Sequence, residues 1–365
     1  MNIFVNQSQN GKFSKELHAL RGIAALVVFL VHFQHRLLDA WPELHVPDFF
    51  NGSAAVTYFF VLSGLVVGIS LAKSWGENRF LLIYGIRRIF RIMPLMVVTA
   101  TIGGLYLFFI NAHMPYSLYD VEKYGDFDWK RMMAGYIGYS LKANPPSWSI
   151  FVELMGSALI PLFILCGRSK LWIILGAIIL FSFSIWDMPI KNKFNIFMLS
   201  FYAGLSVLIW GKYFAQLCEK LPTPAFWLAV STLLAGFYLP RVITQSDYYG
   251  NPWIVHWETL CVTPLVALVY YVPHRFSVLT RPIFQFFGDI SFGLYLTHVL
   301  MMVTLYNVLI LCFGVNIGTI GIFCVLSPVL AIILAKFSYR YIEQPGMVLG
   351  KKMVRILKNG QKTRE

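Results

Sequence analysis

The chain reads as an all-α, polytopic membrane protein, on three observations. Of its 365 residues 58% are hydrophobic and only 13% charged, far more apolar surface than a soluble domain of that length can bury. Mean hydropathy is +0.65. The apolar residues are gathered into runs at 19–38, 52–72, 89–110, 148–166, 171–186, 194–210, 225–239, 256–272, 288–313 and 317–338. Most of these can cross a hydrocarbon core of about 30 Å as a helix, so about ten transmembrane helices are expected.

Charge distribution orients them. Lys and Arg total 30 against 17 acids, a formal net charge of +13. With Met1 on the cytoplasmic side, 22 of those 30 basic residues fall on inner segments, and this positive-inside bias places both termini in the cytoplasm. Basic residues spread along one membrane side are not the clustered face of a nucleic-acid binder. The five cysteines, Cys166, Cys218, Cys261, Cys312 and Cys324, have no close pairs; this argues against a disulfide frame, a zinc site or a thiol relay. The expected organisation is a polar lead over 1–16, a membrane unit over 17–345 and a basic tail over 346–365. That tail suits a surface of anionic membrane lipid.

Taken in order, the first run, LHALRGIAALVVFLVHFQHR over 17–36, carries ionisable groups that are costly in bilayer. Arg21 and His32 are eleven residues apart, about three turns, and so share one helical face. Ala25 and Val28 lie between them on that face and leave a slot. His32 is either a site residue or a core histidine bonded to a carbonyl, and His35, on an adjacent face, is its rival. Lys12 and Lys15 precede the run as in a signal peptide, but without a small-residue cleavage site the run reads as a retained span.

The second run, with Gly52, Ser53, Ala54, Ala55, Ser63, Gly64 and Gly68, is built for close helix packing. Before the third, Arg88 and Arg91 stand at i, i+3, and Pro94 bends the helix beyond them; they are either topology signals or a pair of forks for phosphate. The stretch 111–147, with Asp120, Glu122, Asp126 and Asp128, is the longest without apolar character and reads as an outer loop. It ends in Asn144-Pro145-Pro146-Ser147, a helix start, after which Ser149 and Glu153 share a face. The runs over 171–239 are scaffold. Tyr238, Tyr248, Tyr249, Trp253 and Trp257 form an interfacial aromatic belt or, with Asp247 and Glu258, a stacking wall. In the stretch 287–298, Ser291, Tyr295 and His298 fall on one face.

Several of these stretches resemble one family. Arg21-Gly22-Ile23-Ala24-Ala25 running to Val31-His32, the phrase Tyr58-Phe59-Phe60-Val61-Leu62-Ser63-Gly64, the arginine pair Arg88-Ile89-Phe90-Arg91, Trp148-Ser149 followed by Glu153, the Tyr295-Leu296-Thr297-His298 stretch and the closing Glu343-Gln344-Pro345 are similar to acyltransferase family 3, membrane enzymes that O-acylate bacterial surface glycans. The resemblance implies an enzyme that moves an acyl group, most simply acetyl, from acyl-CoA (acetyl-CoA) to a hydroxyl of a lipid-linked or surface polysaccharide such as O-antigen or exopolysaccharide, in the bacterial inner membrane. It implies His32 as general base, Arg21, Arg88 and Arg91 as holders of the donor phosphates, and Glu153 and His298 as groups that order the acceptor or the imidazole. The long outer stretch would then cover the acceptor. Family members often place an acid shortly after the histidine; here His35 and Arg36 come next and Asp39 is seven residues on, leaving Glu153 or Asp39 as its candidate partner. No metal-ligand spacing is present. The competing class is a transporter or flippase for an anionic substrate, though neither inverted repeats nor paired broken helices are seen.

Overall fold

The computed structural model describes residues 3–4, 14–40, 50–73, 75, 79–116, 127–186, 190–244 and 250–362. Every regular element among them is helical: α1 Lys15–Ala40, α2 Gly52–Lys73, α3 Phe80–Phe109, α4 Trp129–Gly135, α5 Ser147–Leu165, α6 Lys170–Ile185, α7 Phe194–Glu219, α8 Thr223–Thr244, α9 Pro252–Tyr271, α10 Pro282–Phe313, α11 Ile317–Ser338 and α12 Gln344–Lys362. Nine spans among the described residues are long and apolar enough to cross a membrane, and α6, at 16 residues, is shorter. The expected all-α polytopic architecture is present, with nine full-length spans where about ten were expected. Short polar residues start several helices: Asn51, Ser169, Asn251 and Asn316 each accept a backbone N–H from the first turn of the adjoining helix.

The chain divides into two compact units, one of residues 1–28, 49–77 and 152–288, the other of 29–48, 78–151 and 289–365. In the first, α7 is the centre, packed against α2, α9 and α6. Between helices in lipid there is little hydrophobic drive, so close approach of small residues supplies the contact. A Cβ at Gly64 would overlap the Phe201 carbonyl, and one at Gly204 would overlap the Val61 carbonyl. The two helices thus exchange glycines across one seam. The run read as plain scaffold is a deeply packed helix of this unit, with Phe197, Met198, Phe201, Leu205 and Val207 all buried.

In the second unit, α3 carries α4 and α12. The stretch read as one long outer loop is partly folded: Asp128 caps α4 by accepting from Arg131 N at 2.7 Å, and Asn144 Nδ2 donates to Thr99 Oγ1 of α3 at 3.0 Å. Its Asp120, Glu122 and Asp126 lie outside the described residues. Gly138 has φ +73 and passes against the Ser147 carbonyl, where a Cβ would stand 2.5 Å away, a position only glycine fills without strain. That contact seats the start of α5. α11 runs through a π turn, Tyr339–Glu343, into α12.

If the exchanged glycines hold the α2–α7 seam, Gly204→Leu should destabilise the protein by about 3 kcal/mol, as overpacking does. Gly321→Leu, at a position with nothing within 4 Å, should leave the unfolding temperature in detergent near that of the native protein. Equal melting of the two variants would contradict the seam.

Candidate active site

Two helices from opposite ends of the sequence meet in the second unit. His32 of α1 and His298 of α10 have ring centroids 5.1 Å apart, and His35 stands edge-on to His32 at 6.2 Å. His298 is fully buried. Its Nδ1 lies 3.0 Å from the Leu294 carbonyl, one turn back on α10, and because a carbonyl only accepts, that bond puts the proton on Nδ1. Nε2 is then the nitrogen with the lone pair, and it is buried with no hydrogen-bond partner among the described residues. Phe29 meets the His298 ring edge-on at 6.3 Å and Tyr295 flanks it at 6.1 Å.

His32 is partly buried and faces a cavity of about 340 Å³, lined also by His35, Arg36, Val299 and Met302. The cavity therefore has two imidazoles on its wall and a third, fully buried, behind His32. His35, expected on a different face, lines the same cavity. Arg36 joins it, a residue whose place in the sequence suggested only an interruption of the motif.

Two further motif residues converge in this unit. Ser149, at the start of α5, has its Oγ 3.2 Å from the Pro146 carbonyl and 2.7 Å from the Tyr295 hydroxyl. Its one proton goes to the closer partner, so Ser149 donates to Tyr295. Ser149, Ser291, Tyr295 and His298 are all buried, so the face read from helical spacing in α10 is turned inward. Gly293, on the same helix, lies against the closing motif: a Cβ there would stand 3.1 Å from Glu343 Oε1 and 2.9 Å from the Ala335 carbonyl. Arg88, half-buried, and Arg91, exposed, sit near the start of α3 in this unit.

Glu153 and Arg21 belong to the other unit. Glu153 accepts from Ser63 Oγ at 3.1 Å, so Ser149 and Glu153, read as sharing one face, bond to different partners. Arg21 lies within electrostatic range of Tyr58. The side chain of Asp39 is outside the described residues.

The first unit holds a polar cluster that sequence reasoning missed. Glu258, assigned to an outer aromatic edge, is fully buried on α9 and accepts from Ser53 Oγ at 2.9 Å, Thr57 Oγ1 at 2.8 Å and Asn51 Nδ2 at 3.3 Å. The available signal was Ser53 and Thr57 at i, i+4 on α2, one polar stripe that needs a buried partner. Asn51 also donates to the Phe237 carbonyl and accepts from Ala54 N. A second cavity, of about 260 Å³, adjoins Asn51 and Tyr58 among residues such as Ile23, Val27, Phe50 and Leu265. Since Asn51 gives its donors to Glu258 and Phe237 and Tyr58 donates to the Leu17 carbonyl, neither offers that cavity a proton-transfer group. Of the two cavities, the imidazole-lined one suits chemistry.

Fold and site together define a multi-pass membrane protein with a pair of imidazoles beside a cavity. The chain belongs to acyltransferase family 3: the family's sequence model, an acyltransferase domain, matches residues 14–336. It is accordingly an acyltransferase enzyme. Nodulation protein 10 of Rhizobium leguminosarum bv. viciae is 26% identical, over 92% of this chain and 94% of its own length. No solved structure matches. Family membership decides against the transporter reading.

Tyr295→Phe should leave the Ser149 hydroxyl without its acceptor and cost about 1–3 kcal/mol of stability, read as a lower unfolding temperature in detergent. Ser149→Ala combined with Tyr295→Phe should cost less than the sum of the two single changes, because both remove the same bond. Additive costs would show that the 2.7 Å contact carries no energy.

Proposed function

We propose that the protein transfers an acyl group, most simply acetyl, from acyl-CoA to a hydroxyl of a lipid-linked or surface glycan of the O-antigen or exopolysaccharide type, at the bacterial inner membrane and with both termini cytoplasmic. The observation that carries this is the pairing of His32 with His298 beside a cavity. A thioester is attacked efficiently only by an alcohol that loses its proton as it attacks, and neutral imidazole is the side chain suited to take that proton near neutral pH.

His32 is the base because, of the two imidazoles that line the cavity, it is the one paired with His298. His298 is its positioning partner. With Nδ1–H held by Leu294, the lone pair on His298 Nε2 points to the role of accepting an N–H from His32 after a modest ring rotation. The other His32 nitrogen then keeps its lone pair for substrate. Of the two ordering roles that the resemblance implies for His298, this is the one that orients the imidazole.

The reaction balances on this pair. The acceptor hydroxyl gives its proton to His32 as its oxygen bonds to the thioester carbonyl carbon. The tetrahedral adduct collapses with cleavage of the C–S bond, and the departing thiolate takes the proton from the imidazolium, releasing coenzyme A as free thiol. Arg88 and Arg91 would hold the donor phosphates through guanidinium forks, which match phosphate oxygens, with Arg21 assisting. Glu153 would accept hydrogen bonds from the acceptor sugar.

Purified protein given acetyl-CoA and surface glycan from a strain lacking the enzyme should release free thiol and acetylate the glycan. His32→Ala should lower the rate by the two to four orders of magnitude typical of a lost general base, with coenzyme A binding retained. A folded His32→Ala protein that acylates at the native rate would contradict the proposal.

A further inference from the structure

Outside the imidazole cavity, the strongest juxtaposition is between α12 and the arginine segment of α3. Pro94 has no N–H, so the carbonyl of Phe90, four residues earlier and set between Arg88 and Arg91, loses its helical partner. Gly346 lies against that carbonyl: a Cβ there would stand 2.7 Å from Phe90 O and 2.9 Å from Pro94 Cγ. One turn further, a Cβ at Gly350 would stand 2.7 Å from Phe90 Cβ. Glu343, Gly346, Gly350 and Val354 are buried at steps of three and four residues, the spacing of one helical face. This face docks on the backbone that carries the arginine pair.

The rest of α12 faces outward, and its two flanks differ. At about 100° per residue, Leu349, Met353 and Ile356 fall to one side of the docking face, and they are 49%, 41% and 58% exposed. Lys351, Arg355 and Lys358 fall to the other side, with Lys352 opposite the docking face; Lys351, Lys352 and Arg355 are exposed. An apolar flank opposed to a basic one is the build of a helix lying in a membrane interface, and four Lys/Arg on such a helix complement anionic lipid headgroups.

We propose that α12 rests on the anionic lipid surface of the membrane and, through Gly346 and Gly350, holds the Phe90 backbone so that Arg88 and Arg91 are presented to the acyl donor. Lipid charge then sets donor affinity. This rests on the reading of Arg88 and Arg91 as donor ligands and assigns Gly346 and Gly350 as positioning residues.

The test uses the full-length protein in nanodiscs of phosphatidylcholine alone or mixed with phosphatidylglycerol, and measures the dissociation constant of coenzyme A. The native protein should bind about tenfold more tightly in the anionic discs, a coupling of ordinary size. Plain electrostatics gives the opposite sign, because an anionic surface repels the coenzyme's phosphates. Gly346→Leu, which changes no charge, should lose the tightening. A variant with Lys351, Lys352, Arg355 and Lys358 all changed to Gln leaves the docking face intact and should bind equally, or more weakly, in the anionic discs. If native binding ignores lipid charge or weakens with it, or if both variants still tighten, the proposal is overturned. Arg88→Ala separates the two levels. If Arg88→Ala weakens coenzyme A binding while the α12 variants behave as native, the donor reading stands and the role of α12 falls; if Arg88→Ala has no effect, the donor reading fails and the proposal with it.

Discussion

The bond from His298 Nδ1 to the Leu294 carbonyl, 3.0 Å long, is the interaction on which the site depends. An imidazole fully buried in a membrane-spanning helix has no water to satisfy it, and an unsatisfied polar group there costs several kcal/mol. Bonding one nitrogen to its own helix removes most of that cost and fixes the tautomer. The second nitrogen is left as a directed lone pair beside His32. That nitrogen is buried without a hydrogen-bond partner among the described residues.

That arrangement needs α1 and α10 to be held at a constant separation, and the lipid-facing fold does this with contacts that tolerate no added atoms. Gly22 meets the Phe287 and Gly288 backbone, Gly288 meets His18, and Gly293 meets Ser338 and Ala335. At each, atoms of a neighbouring helix fill the space where a side chain would stand. Such packing sets distance more stiffly than interdigitated leucines do, because backbone cannot change rotamer. Gly22 belongs to a stretch that carries the family resemblance and Gly293 stands two residues before another, so those stretches serve geometry as much as chemistry.

Much of the fold was legible, because a bilayer imposes length and hydropathy on each span. Run boundaries slipped where charge and proline misled: α3 begins at Phe80, well before its apolar run, since Arg87, Arg88 and Arg91 are tolerated at its entry and Pro94 within it. α4 was missed because so short a helix leaves little periodicity, although Asp128 three residues before Arg131 is a capping signal. His32 and His298 could each be placed on a face of its own helix, but helical spacing says nothing about which helix lies opposite. Their meeting is a tertiary fact. Glu258 was hidden for the same reason, as its partner Ser53 read as a small packing residue and Thr57 drew no reading until α9 was seen beside them. The basic character of α12 was plain, whereas the docking of Gly346 on Phe90 was not.

The central claim is that His32 and His298 act as one unit, and a double-mutant cycle on turnover tests it most directly. Residues that act as a unit lose about as much singly as together. His32→Ala, His298→Ala and the double variant, all folded and all binding coenzyme A, should have nearly the same residual kcat. If the two losses multiply instead, each histidine works alone and the account is wrong.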